Sequence, residues 1–173
     1  MNAAEANILD LIATRRERRP VRDLAALAQL FRRLAACAAI EAPDTEDRIW
    51  DVWMDHPHRA AAAALDAAPR DIAAKRYDIA ETRLSALLRS APRYAEAWHK
   101  RATLYYLLGR DDECLHDIRR TLELEPRHFA AMLHFAEILL GEGAEAEARY
   151  AFAAALTLHP HLPRARNALD DAL

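Results

Sequence analysis

The sequence predicts an all-α chain, an α-solenoid of antiparallel helix pairs, and three observations predict it. Pro92, Pro126 and Pro160 stand 34 residues apart, and a fixed period of this length marks a supersecondary unit that buries its apolar face only by stacking on copies of itself. Other residues keep the same phase: Gly109 with Gly143, Ala102 with Ala136, Leu124 with Leu158, and the triples Ala80, Cys114, Ala148 and Leu84, Ile118, Phe152. The 173 residues include only three glycines and no run of strand-like alternation, so the periodic segments read as helices.

Residues 1–60 read as an N-terminal helical extension or cap packed on the repeats. Arg15, Arg16, Arg18, Arg19 and Arg22 form a basic run near its start, which reads as a solvated helix end and linker. A contact with an anionic surface or RNA through residues 15–22 is the functional alternative. Leu24, Leu27, Phe31, Leu34 and Ala38 alternate at spacings of three and four, an amphipathic helix ending before Pro43. Asp44 or Thr45 then caps a second helix that carries Ile49, Trp50 and Trp53 and is ended by Pro57. This hairpin reads as a cap, since terminal units of an array are atypical. An eroded additional repeat is the other reading.

Three repeats follow, over residues 61–94, 95–128 and 129–162. The first is degenerate. Its second helix keeps Tyr77, Ala80, Leu84, Leu87 and Leu88, but its first, Ala61 to Ala74, carries Pro69 and is expected to be kinked or split. Lys75 replaces the turn glycine, which predicts a turn without the left-handed residue or a slightly strained one. In the second repeat Trp98, Ala102 and Tyr105 fall at i, i+4 and i+7 and face Cys114, Ile118, Thr121 and Leu122. With Trp98 in the core, its truncation to alanine costs about 3 to 5 kcal/mol. Gly109 supplies the left-handed residue that closes the first helix, and Pro126 ends the second by disfavouring helix at Glu125. The third repeat restates the pattern with Met132, Ala136, Leu139, Gly143, Ala148, Phe152 and Pro160. Residues 163–173 form a C-terminal capping helix with Pro163 in its first turn.

The stretch Ala97 to Gly109, with the skeleton Trp98, Ala102, Tyr105, Cys114, Ile118, Pro126, resembles the tetratricopeptide repeat (TPR). Arg101 stands where leucine is usual, and Cys114 and Thr121 replace alanines. With Ile49-Trp50-x-x-Trp53 ahead of the repeats, the chain is similar to small bacterial TPR proteins with a helical N-terminal extension. The resemblance implies a TPR-like α-solenoid and a non-enzymatic protein–protein interaction module. It also implies a concave groove, lined by the first helices, that takes a peptide or helical segment of a partner protein. The groove positions are then Glu96, His99, Lys100, Thr103 and Tyr106, followed by Ala130, Leu133, His134, Glu137 and Leu140. Tyr106, Leu133 and Leu140 offer an apolar strip, and Lys100, His99, His134 and Glu137 meet the polar groups of a peptide; packing of Leu133 and Leu140 on a neighbouring helix is the competing reading. The carboxylate clamp of chaperone-binding members is absent, because no asparagine lies between Asn7 and Asn167 and Lys75 and Lys100 are the only lysines. The alternative function is a self-associating or assembly subunit that uses its end faces, including Trp50 and Trp53 if they are exposed.

A formal net charge of −3 gives no basic excess that demands nucleic acid. The preference for arginine over lysine reads as the bias of a GC-rich, bacterial genome. No segment reaches the roughly 18 uninterrupted apolar residues of a membrane span. Leu34-Ala35-Ala36-Cys37 resembles a lipoprotein cleavage box, but Arg22, Asp23, Arg32 and Arg33 interrupt the apolar core that export requires. Cys37 and Cys114 therefore read as free thiols of a reducing cytoplasm. His56-Pro57-His58 and His159-Pro160-His161 sit at helix connections and read as turn polarity rather than metal ligands. Cys114 and His116 point about 200° apart on a helix, out of hydrogen-bond reach. No cofactor, metal or catalytic residue is expected.

Overall fold

The computed structural model describes residues 1–20 and 25–170. Arg22, Leu24 and residues 171–173 of the expected capping helix lie outside the described residues. The described part consists of α1 (Ala3–Ala13), α2 (Ala25–Ala36), a short 3-10 turn (Ala39–Glu41), α3 (Ala42–Met54), α4 (Arg59–Ala73), α5 (Tyr77–Ser90), α6 (Ala95–Leu107), α7 (Asp111–Leu124), α8 (Phe129–Gly141), α9 (Glu145–Leu158) and α10 (Pro163–Asp170). The pairs α4/α5, α6/α7 and α8/α9 stack in series as a TPR-like helical solenoid, and α10 packs on α9. No helix among the described residues is long and apolar enough to cross a membrane.

The three turns inside the pairs share one geometry. Arg110 N–H donates to the Tyr105 carbonyl and Gly109 N–H to that of Tyr106; Ala144 and Gly143 repeat this with Leu139 and Leu140. Arg76 and Lys75 repeat it with Asp71 and Ile72. This is the Schellman closure, which needs a left-handed residue at its hinge. Gly109 and Gly143 have φ of 66° and 78°, and Lys75 adopts φ of 56°. The first turn is thus the same turn with a side chain forced into it. Pro69 does not split its helix either, since α4 runs continuously from Arg59 to Ala73 around it.

Arg101 has a partner that explains its place in the repeat. Its guanidinium donates to both oxygens of Asp117, at 2.6 and 3.0 Å, and to the Ser85 hydroxyl at 3.0 Å, tying α6 to α7 and α5. Asp117 is fully buried. The expectation for Trp98 needs correction. It is half-buried, donates its indole N–H to the Pro92 carbonyl at 2.9 Å, and lies under the guanidinium groups of Arg101 and Arg120.

The N-terminal helices do not sit as a further unit at the open end of the stack. Helix α1 lies against α7 and α9 and buries Ile8 and Ile12. It opens with a capping box, in which Asn2 Oδ1 accepts from Ala4 and Glu5 N–H and Glu5 Oε2 accepts from Asn2 N–H. Helices α2 and α3 form a hairpin whose first member touches α9 and whose second touches α6. Pro43 is inside the first turn of α3, so neither Asp44 nor Thr45 caps it; the Thr45 hydroxyl instead donates to the Glu41 carbonyl. Leu27, Phe31, Leu34, Ile49 and Trp53 of the hairpin are buried in one core with α6 to α10. At about 1.5 to 3 kcal/mol per large side chain, this makes the hairpin a built-in wall of the solenoid.

Candidate functional site

The predicted groove positions lie on one face of α6 and α8, and the structure divides that face in two. Over its N-terminal half sits α3. The Trp50 ring stacks on His99 with centroids 5.9 Å apart, the Lys100 ammonium lies 4.8 Å above Trp50, and the Trp53 ring stacks on His128 at 4.2 Å. Beneath them Glu96 is buried, accepting from Lys100 Nζ at 2.9 Å, His128 Nε2 at 2.8 Å and His99 Nδ1 at 3.3 Å. Burial opposes the Glu96 charge, but His99, Lys100 and the His128 hydrogen bond together hold its carboxyl well below the usual range. Burial, reinforced by the neighbouring His128, pushes the His99 imidazole down to about 3. Near neutral pH the centre is a carboxylate paired with a lysine and flanked by a neutral His99.

Glu96, His99 and His128 are also the one group among the described residues whose ligand atoms, within 4.8 Å of one another, could hold a metal ion. Two facts oppose that use. His128 Nδ1 already accepts the Ala131 N–H at 3.2 Å, so a neutral ring keeps its proton on Nε2, the atom a metal would need. The Lys100 ammonium, bound to the same carboxylate, also repels a cation. The donor set fits a closed ion network better than a metal centre.

The C-terminal half of the face is open. His134 continues the line of rings, stacked 5.2 Å from His99 and 5.5 Å from Tyr106. Tyr106, Leu133 and Ala130 are half-buried, and Leu140 is 49% exposed, as is Leu107 at 54%. Thr103 turns its hydroxyl back to the His99 carbonyl. Arg164 of α10 pairs with Glu137 Oε1 at 2.7 Å, the Tyr106 hydroxyl also interacts with the Glu137 carboxyl, and His134 Nδ1 is buried without a hydrogen-bond partner. An unmet buried acceptor costs about 1 to 3 kcal/mol. Burial raises the Glu137 carboxyl above its ordinary value and lowers His134 to about 4.

Of the predicted contact residues, the structure gathers Tyr106, Leu133, His134, Glu137 and Leu140 at the open half and encloses Glu96 and His99 under α3. Lys100 is committed to Glu96 and Trp50, and Thr103 to the helix backbone. The sequence reading missed Trp50 and Trp53 as the cover; their spacing with Glu46 at i, i+4 and i+7 was the available signal. Glu46 accepts from Trp50 Nε1 at 3.1 Å and His159 Nε2 at 3.0 Å, which orients the Trp50 ring and ties α3 to the end of α9. Trp53 is buried and Trp50 half-buried, so neither is the exposed end-face residue envisaged from sequence.

The remaining candidates have local duties. Arg18 donates to the Leu122 and Glu123 carbonyls at the end of α7, and Arg15 to the Ile12 carbonyl and the Thr157 hydroxyl. In both His-Pro-His sequences the first imidazole accepts from the second histidine's backbone N–H, at 3.1 Å for His56 and 3.3 Å for His159. Burial pushes the Cys114 thiol up to about 12, and His116 pairs with Asp117. Cys37 and Cys114 are both free.

The decisive comparison falls on α6 and α7. The family model of the tetratricopeptide repeat matches residues 95–128. Over that helix pair the chain is similar to a tetratricopeptide repeat. TPR pairs are in general protein–protein interaction modules, and α4/α5 and α8/α9 extend the same architecture on either side. A TPR repeat-containing protein of Rhizobium etli is 34% identical over 91 residues, which are 53% of this chain and 45% of that protein. The matched region thus spans under half of the relative's length.

Proposed function

We propose that the protein is a non-enzymatic interaction module that holds an extended or helical segment of another protein on the open half of the α6/α8 face. The observation that carries this reading is the half-open apolar strip of Tyr106, Leu133 and Leu140, set beside a rigid wall that leaves it uncovered. A surface of alternating apolar and polar side chains on fixed helices suits a peptide whose backbone and side chains are read together. Glu96, His99 and Lys100 then support the surface from beneath α3 rather than touch the partner. Affinity capture with the wild type and a Tyr106→Ala, Leu133→Glu double variant of unchanged helicity tests it. The variant is expected to lose the partners that the wild type retains; equal recovery of the same partners would refute the reading.

One observation favours self-association as a second reading. The outer side of α4 and α5, where a preceding pair would stack, carries an apolar groove of about 730 Å³ floored by Ala60, Ala64, Ala86 and Leu87, and Ile79 is 43% exposed there. Mass measured against concentration decides it: a dimer weakened by Ile79→Glu supports the reading, and a monomer at every concentration refutes it.

A further inference from the structure

The α4/α5 end of the stack holds a seat for a helix that this chain places elsewhere. Connections of equal length, residues 55–58, 91–94, 125–128 and 159–162, lead from α3, α5, α7 and α9 to the next helix. In the last three the second residue is proline, and the residue before it is held extended, with φ of −135°, −132° and −133° at Ala91, Glu125 and His159. In the first the proline comes one residue later, at Pro57, and Asp55 takes φ of −71° instead. Whereas α5 and α7 each stack on the pair that follows, α3 is turned onto the α6/α8 face.

Register nevertheless assigns α3 to the end of the stack. Asp47, Trp50, Trp53 and Met54 precede Glu81, Leu84, Leu87 and Leu88 of α5 by 34 residues. Those residues seat α5 on the next pair: the three leucines are buried in one cluster with Tyr94 and Ala97, Trp98 packs on it, and Glu81 accepts from Arg110 at 2.9 Å. Among the described residues no helix lies along the equivalent surface of α4/α5; only Met54, at the end of α3, reaches its cluster. Ala60 and Ala64 stand there in place of Tyr94 and Trp98, 34 residues earlier, and the groove of about 730 Å³ takes up the difference in volume. Arg76 stands in place of Arg110, with its side chain 52% exposed, and shares the buried Asp71 with Arg83, so two guanidinium groups meet one carboxylate. Asp78 is at this rim as Asp112 is beside Arg110, and there Arg110 still takes an acid from the incoming helix.

A second copy fills this depth less well. The large residues of its α1 and α3, Ile8, Ile12, Ile49 and Trp53, are already buried, and Arg164, Arg166 and Asn167 of its α10 are exposed and polar. Laid face to face, its own α4/α5 end sets alanine against alanine and fills the groove only with Ile79.

We infer that the α4/α5 end docks an amphipathic helix of another protein, seated as α5 is on α6. The helix carries an acidic residue that reaches Arg76, followed at three, six and seven residues, the spacing of Glu81 with Leu84, Leu87 and Leu88, by large apolar side chains that fill the depth above Ala60, Ala64 and Ala86. This site is separate from the open half of the α6/α8 face and does not depend on it.

The probe is a fluorescent peptide of residues 42–54, which carries that spacing, stapled on the side away from Asp47, Trp50 and Trp53 to hold it helical and titrated with the full chain. Saturable binding is expected, weakened about tenfold or more by Ala64→Trp, which plugs the groove, and by Ala86→Glu, which charges its floor. Asp47→Asn in the peptide, or Arg76→Gln in the chain, weakens it about threefold, as for an exposed ion pair. The Tyr106→Ala, Leu133→Glu double variant binds as the wild type does. No binding by the wild type, or binding unchanged in both groove variants, overturns the inference. If the double variant abolishes binding while the groove variants keep it, the peptide sits on the open half, and this inference fails while the reading of that half stands. A dimer that Ala86→Glu dissociates gives the groove to a second copy and also overturns the inference. Ala60 and Ala86 are exposed and Ala64 half-buried, so the groove variants keep the wild-type helicity that circular dichroism reads.

Discussion

The two halves of the α6/α8 face are built from similar residues and end in opposite states. In the N-terminal half a buried glutamate is surrounded by three donors and covered by two tryptophans; in the C-terminal half a nearly buried glutamate meets Arg164 and Tyr106 and has no cover. The difference lies in α3, which supplies Trp50 and Trp53 to one half and stops short of the other. A repeat face can thus be covered in part from within its own chain.

The sharpest way to break this contrast is to truncate one residue from each half. Trp53→Ala should destabilise by about 3 to 5 kcal/mol, as for a large buried aromatic, whereas Leu140→Ala, half-exposed, should cost under about 1 kcal/mol. Urea unfolding of both variants checks this, and equal costs would mean that α3 is loosely held. Asp117→Ala probes the seam behind the face. It strands the Arg101 guanidinium, at a cost of about 3 to 5 kcal/mol, and adding Arg101→Leu should recover most of the loss.

Acid should weaken both halves of the face through their buried imidazoles. The folded His99 holds its proton only near pH 3, against 6.5 ordinarily. The unfolded chain therefore binds a proton below pH 6.5 that the folded chain refuses, so stability is full above that pH and falls as pH drops toward 3. Between pH 7 and pH 5 the loss is on the order of 2 kcal/mol from this group, and His134, lowered to about 4, adds in the same direction. The contribution of Glu96 is lost only at lower pH, as the pH falls through its depressed value. Unfolding of His99→Gln at both pH values should show a distinctly flatter dependence.

The smallest effect is a gain away from both halves. Lys75→Gly relieves a side chain held at positive φ and should stabilise by about 1 kcal/mol. No change in thermal midpoint would mean that the first turn is unstrained.

What could be read in the sequence follows the range of the forces involved. The helix pairs, the hinge glycines and the closing prolines are local, so their spacing alone predicts α6 to α9 and the start of α10 at Pro163. The capping box of Asn2 and Glu5 and the spacing of Ile8 and Ile12 were equally local, and they could have located α1. The seat of α3 was not legible, because it depends on Trp50 and Trp53 meeting His99 and His128 across long stretches of chain. For the same reason Glu96 and His99 read as groove residues: periodicity gives the face they occupy but not what covers it. Arg101 and Asp117 each break an apolar pattern, and such paired departures on adjacent helices are the legible trace of a buried ion pair.

The central claim, one face half closed by α3 and half open to a partner, is tested most directly by mapping amide and indole chemical shifts while a library-selected peptide is titrated in. The amides of residues 103–107 and 133–140 should shift, while those of residues 96–100 and the indole N–H signals of Trp50 and Trp53 stay in place. Movement of both indole signals together with the amides of residues 96–100 would show that the partner displaces α3, and would contradict the account.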